Sequence, residues 1–182
     1  MIAAVTLFAS MLYYVFIING ALVFKEVGVT EPQRYGALIF IPSLFILLGA
    51  AIFRLLAMRP TMLQLGVVML LMGVGLAGMG VATTVPVMIA CLIIQQTAAG
   101  MTVPTLIAWT QSKFGFQHRG RAMGIWTGAF FLGQSQSPRL VHAIDAQMGS
   151  IQGAFLTAGL FGLGAAAVAL IIFISVRRGQ LA

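Results

Sequence analysis

The residues of this chain that are able to do chemistry are few, and most are amides, hydroxyls and phenols set inside apolar runs. Gln134, Ser135, Gln136, Ser137, Pro138 and Arg139 close a largely apolar stretch that begins at Ala122. Gln95, Gln96, Thr97, Thr102 and Pro104 interrupt a second stretch, and Tyr13, Tyr14 and Asn19 a third. Groups of this kind hold a solute by hydrogen bonding and stacking, and none is a nucleophile with a base beside it. His118 and His142 have no carboxylate or cysteine at ligand spacing, so neither a metal site nor a catalytic base is indicated. No G-x-S-x-G and no H-E-x-x-H occurs, so the chain does not read as an enzyme. Gly73, Gly75 and Gly78 spell G-x-G-x-x-G, but no strand precedes them and no acid follows about twenty residues on, so no dinucleotide site is expected. The single cysteine, Cys91, excludes an internal disulfide and reads as a small buried side chain. No cofactor and no metal is expected.

Composition states what surrounds these groups. Hydrophobic residues make up 60% of the chain and charged residues 7%, against roughly 25% charged in a soluble domain. Mean hydropathy is +1.05. These values describe an integral membrane protein. The net charge of +7 does not point to nucleic acid, because the basic residues sit in short loops between apolar runs, as orientation signals do. The first apolar run is too long for a signal-peptide core and has no basic segment before it, so it reads as a first span.

Six spans are expected, forming one all-α transmembrane domain over residues 1–182: Ile2 to Phe24, Tyr35 to Met58, Thr61 to Val81, Pro86 to Thr110, Ala122 to Pro138 and Ile151 to Val176. As a helix of about 1.5 Å per residue, the fifth covers roughly 25 Å, close to the ~30 Å of a bilayer core. Its polar end must face protein or water, since lipid satisfies no hydrogen bond. Thr30, Glu31 and Pro32 provide an N-cap and a first-turn proline for the second helix. Pro104 cannot donate to the carbonyl of Gly100, which predicts a kink in span four. Gly124 and Gly128 form a G-x-x-x-G contact face, and Leu140 to Ser150 reads as a loop. Trp109 and Trp126 fall near the boundary of their spans, where tryptophan anchors to headgroups. Arg54, Arg59, Lys113, Arg119, Arg121, Arg177 and Arg178 fall on one side of this map, and Lys25, Arg34 and Arg139 on the other with Glu26, Glu31 and Asp145. Basic residues collect on the cytoplasmic face, so both termini are predicted inside.

Six spans, basic turns after the second and fourth, and the run RGRAMGIWTGAFFLGQSQSP from Arg119 to Pro138 together resemble the C-terminal half of a major facilitator superfamily transporter. The run is similar to the start and body of the eleventh helix of drug and sugar efflux members, with Arg121, Gly124, Gly133 and Pro138 in the expected places. Two departures stand out. The positions of Gln136 and Arg139 are usually apolar in such relatives, and the turn from Arg54 to Pro60 lacks the acid and glycine of the family's loop motif.

The resemblance implies two inverted three-helix repeats, with a solute site at the interface with a second six-helix half. Spans one and four would then line the cavity, which makes Gln95, Gln96, Asn19, Tyr13, Tyr14 and Gln134 the solute-facing candidates. Gln95 and Gln96 read either as cavity-lining or as interhelical packing, and being adjacent they point about 100° apart. Asn19 reads equally as a helix-end residue, and the tyrosines equally as interfacial rings. Arg139 reads as snorkelling to headgroups, as a solute anion's partner or as the partner of Asp145. Arg119, Arg121, Gly124, Gly128, Gly133, Pro138 and Pro104 are the gating or structural positions, and Arg54, Arg59, Lys113, Arg177 and Arg178 the topology anchors. The implied function is movement of a small organic solute by alternating access, as an exporter in the cell membrane. No span carries an Asp or Glu, so a proton-coupling acid is expected in the other half. The expected partners are the lipid bilayer, a small-molecule solute and a second half, which is a missing N-terminal half or another copy. The alternatives are a truncated interaction protein that moves nothing, with the glycine-rich spans three and six as its contact faces, and a six-helix exporter acting as a homodimer.

Overall fold

Glycine and proline set where the helices start and stop. The computed structural model describes residues 1–179. Within them lie α1 (Ile2–Lys25), α2 (Pro32–Leu56), α3 (Thr61–Val81), α4 (Val85–Lys113), α5 (Arg119–Met148) and α6 (Ile151–Gly179), with one 3-10 turn at Phe116–His118 and no strand among the described residues. Gly28, at φ +83°, turns the chain after α1, and its N–H bonds to the Lys25 carbonyl at 3.0 Å. Pro32 takes the first position of α2, where a missing N–H costs nothing. The N-cap is Glu31 and not Thr30; no side chain caps the helix, and only the Glu31 carbonyl engages, accepting from the Tyr35 N–H at 3.0 Å.

The largest departure from the sequence map is α5. The expected loop from Leu140 is helical as far as Met148, so His142 and Asp145 stand on the helix. The apolar spacing continues past Pro138 through Val141, which is fully buried, and Ile144, which packs against the core. The stop signal is Gly149, whose φ of +70° is left-handed. Its N–H bonds to the Asp145 carbonyl at 2.8 Å, a helix-ending arrangement in which glycine carries no Cβ penalty. α5 also starts earlier than expected, at Arg119, and α4 ends later, at Lys113. α4 and α5 both run on past their internal prolines, Pro104 and Pro138. Among the described residues five helices are long and apolar enough to cross a membrane, and α5, with its arginines and polar end, is not one of them.

Packing follows a pattern of pairs. α2 lies along α4 and α5 along α1, while α3 and α6 share the most extensive seam and α3 also packs on α4. Exchanging the first three helices for the last three turns the α2–α4 pair into the α5–α1 pair and returns the α3–α6 pair to itself. α2 and α5 begin at opposite ends of the bundle, so this exchange is an inversion. Close approach is made by glycine. A Cβ on Gly73 would lie 2.7 Å from the Leu163 nitrogen, and one on Gly66 2.7 Å from Leu170 Cδ2, both across the α3–α6 seam. Gly49 meets the Thr97 carbonyl and Gly100 the Ile46 carbonyl across the α2–α4 seam, and a Cβ on Gly133 would lie 2.5 Å from the Leu7 carbonyl oxygen. Gly66, Gly73 and Gly80 of α3 and Gly159 and Gly162 of α6 meet the other helix of this pair, while Gly75 and Gly78 of α3 meet Gln95 and Cys91 of α4. Gly124 and Gly128 make no such approach: a Cβ on either would meet nothing within 4 Å, because the packed face of α5 is the stripe Ala122, Trp126, Phe130, Gly133, Ser137 and Val141.

Candidate functional site

One end of the bundle gathers the starts of α1, α3 and α5 and the ends of α2, α4 and α6. There the start of α1, the end of α4 and the start of α5 surround a chamber of about 390 Å3, lined by Ile2, Trp109, Thr110, Lys113, Phe114, Ile125 and Trp126 among others. That volume is in the range of small-molecule sites, which are largely apolar with a few polar groups. Lys113 brings a charged side chain to its lining. Both tryptophans belong to it and neither is a surface anchor: Trp109 is 2% and Trp126 8% exposed. The reason is geometric, since Trp126 lies on the packed stripe of α5 and Trp109 is held between this chamber and a second, apolar one of about 360 Å3 walled by α1, α3 and α6. The indole N–H of Trp126 is buried with no hydrogen-bond partner.

From the chamber an aromatic series runs along the α1–α5 seam. Trp126 stacks on Phe130 with centroids 5.3 Å apart and planes at 24°. Phe130 meets Tyr13 at 5.9 Å and Tyr14 at 5.8 Å, and the two tyrosines meet edge to face at 5.0 Å. Hydroxyl to backbone bonds hold the seam in register: Ser10 donates to the Phe130 carbonyl, and Ser137 to the Met11 carbonyl at 2.8 Å. Gln134 is half-buried on the same helix. At its polar end Arg139 is exposed and donates to Gln136 Oε1 at 3.5 Å, not to Asp145.

The amides of α1 and α4 lie apart from this series. Gln95 is fully buried and turned toward α3, its Nε2 donating to Met72 Sδ at 3.5 Å, while its Oε1 has no partner. Gln96 turns toward α2 and donates to Ser43 Oγ at 3.3 Å. The two therefore meet different neighbours, as their angular separation requires. Asn19 is not at a helix end; it is buried on α1, which continues to Lys25, and its Nδ2 donates to the Val15 carbonyl at 3.1 Å. Arg119 and Arg121 are exposed, and Arg119 Nε donates back to the Phe114 carbonyl at 3.3 Å, closing the turn from α4. His118 and His142 are exposed. Trp109 and Trp126, which line the chamber, and Phe130, which stacks on Trp126, are not among the solute-facing residues that the sequence suggests. The signal was present in the four-residue spacing of Trp126 and Phe130, which places both on one face of a helix.

The model of the Major Facilitator Superfamily matches residues 2–181. The chain belongs to the major facilitator superfamily. Its members are secondary transporters, so this is a multi-pass membrane protein of a transport family, in contact with lipid and with a solute. In this superfamily the solute site lies near the bilayer midplane, between six-helix halves. No curated protein matches the chain.

Proposed function

We propose that the chain is the C-terminal half of a secondary transporter that exports a small organic solute by alternating access, with both termini cytoplasmic and six spans. The observation that carries this reading is the aromatic series Trp126, Phe130, Tyr13 and Tyr14, which leads from the chamber at the end of the bundle to the middle of α1. Stacking faces, one unpartnered indole N–H and one lysine suit a planar solute that carries a hydrogen-bond acceptor or a negative charge. Gln95, Gln96 and Asn19 serve as packing in this reading, and Tyr13, Tyr14 and Gln134 as solute-facing groups. The resemblance of Arg119 to Pro138 to an eleventh helix supports the assignment as the second half and the direction as export.

The second half packs on the side of α1, α2, α4 and α5. α2 fits this reading: its buried residues are Pro42 and Gly49, and Phe40, Ile41, Leu44 and Leu47 are exposed along it. α5 is carried across the bilayer by its seam with α1, which takes up the hydroxyls that lipid leaves unsatisfied.

The chain contains two tryptophans, Trp109 and Trp126, and both line the chamber, so intrinsic fluorescence reports its occupancy. Titrating purified protein with a panel of aromatic carboxylates is expected to quench the emission, and Trp126→Phe is expected to remove most of the change. A solute that the assembled transporter moves, yet that leaves the emission of both tryptophans untouched, contradicts the assignment of the chamber.

A further inference from the structure

At the same end of the bundle, on the opposite side from α1 and α5's chamber, the turn into α3 and the last turns of α6 enclose a groove of about 570 Å3 lined by Arg59, Pro60, Leu63, Phe173, Val176 and Arg177. Its composition is unlike that of the other two cavities: two arginines stand over four apolar side chains. We propose that this groove binds the phosphate headgroup of an anionic phospholipid, with Arg59 and Arg177 clasping the phosphate and the apolar walls receiving the start of an acyl chain.

Neither guanidinium has a carboxylate side chain of this chain beside it. The only acids in the sequence are Glu26, Glu31 and Asp145, which sit at the end of α1, the N-cap of α2 and the late part of α5. All three lie at the other end of the bundle, so no carboxylate side chain of this chain reaches either guanidinium. Both arginines are exposed. A guanidinium presents its donors in a planar fork that matches a phosphate oxygen pair, and two such forks, one from the turn before α3 and one from α6, define a site that a single charge does not. The backbone on the α3 side is fixed: Gln64 Nε2 donates to the Arg59 carbonyl at 2.8 Å, holding the turn that presents Arg59.

The apolar lining favours lipid over free phosphate. Leu63 and Phe173 lead into the α3–α6 seam, where Gly66 lets Leu170 approach closely, and Val168, Ile171, Ile172 and Ile174 of α6 are exposed beyond it. A headgroup at the rim with its chain against this face satisfies both halves of the groove. Basic pockets between membrane helices are a recognised form of anionic lipid site.

The test is native mass spectrometry of the full chain in detergent, titrated with phosphatidylglycerol, phosphatidylcholine of the same chains, and inorganic phosphate. Phosphatidylglycerol is expected to bind preferentially and to survive activation, with Arg59→Gln/Arg177→Gln weakening it about tenfold. Arg54→Gln/Arg121→Gln removes equal charge at the same end but outside the groove, and is expected to leave binding unchanged. Arg59→Lys/Arg177→Lys keeps the charge without the forks and is expected to bind with intermediate strength, which also serves if the glutamine variant does not fold. Equal binding of phosphatidylcholine, full competition by inorganic phosphate, or equal loss in the two charge-removing variants overturns the proposal.

Discussion

At the scale of residues, the weight each glycine carries depends on what lies opposite it. A Cβ at Gly75 would stand 2.6 Å from Gln95 Cβ and 2.7 Å from its nitrogen, and backbone cannot step aside as a flexible side chain does. Gly75→Ala is therefore expected to lower stability by about 1–3 kcal/mol, the usual penalty for overpacking. Gly128→Ala, with open space around it, is expected to change stability by less than about 0.5 kcal/mol. Thermal unfolding of the two variants in the same detergent checks the contrast, and equal losses contradict it. At Trp126 the indole supplies two things, a stacking face for Phe130 and an unpartnered N–H. Trp126→Phe keeps the first and removes the second. It is expected to weaken solute affinity by about 1 kcal/mol, while Trp126→Ala costs more through lost packing as well. Solute binding followed by calorimetry separates them, and equal affinity in the wild type and the phenylalanine variant removes the N–H from the account.

At the scale of elements, α5 asks the most of its neighbours. It carries Arg119, Arg121, Arg139 and Asp145 along with Gln134 and Gln136, and its hydropathy does not reach that of the other five helices. Of its polar side chains Ser137 meets α1, donating to the Met11 carbonyl, and its Phe130 carbonyl accepts from Ser10 of α1. In an insertion assay the segment from Arg119 to Met148 is expected to insert poorly alone and to span when α1 is present. Equal insertion in both contexts contradicts a role for the seam. The same helix shows what the sequence made legible and what it did not. Hydropathy located the apolar runs, and proline marked the start of α2, because these are local properties. The extension of α5 to Met148 was hidden because Pro138 and Arg139 look like an ending, whereas the true stop is the left-handed Gly149. The tryptophans were misplaced because distance along the chain puts them near a boundary, and only the packing of α5 on α1 and of α4 on α3 turns them inward. Likewise the glycine spacing at Gly124 and Gly128 announces a close contact, but the contacts within this bundle are made at Gly49, Gly73, Gly100 and Gly133.

At the scale of the whole molecule, apolar surface is uncovered both on α6, at Leu160, Phe161, Val168 and Ile171, and on the front of the bundle, the side of α1, α2, α4 and α5. The α3–α6 pair interlocks through its own small residues, while α2 leaves most of its apolar surface uncovered and α5 leaves Ile125, Phe131 and Leu132 exposed beside Gly124 and Gly128. If a second half covers that front, Gly128→Leu leaves the folding of this half unchanged and impairs assembly. Thermal unfolding of the chain alone and co-purification of the second half read these separately, and a variant that assembles normally moves the interface elsewhere. The central claim is that these helices work only as one of two halves. It is tested most directly by the mass of the protein particle released intact from its native membrane, measured against the 19.3 kDa of this chain. The account predicts a particle of about twice that mass, as one longer polypeptide or as two associated six-helix units. A lone 19.3 kDa particle that moves solute when placed in vesicles contradicts it.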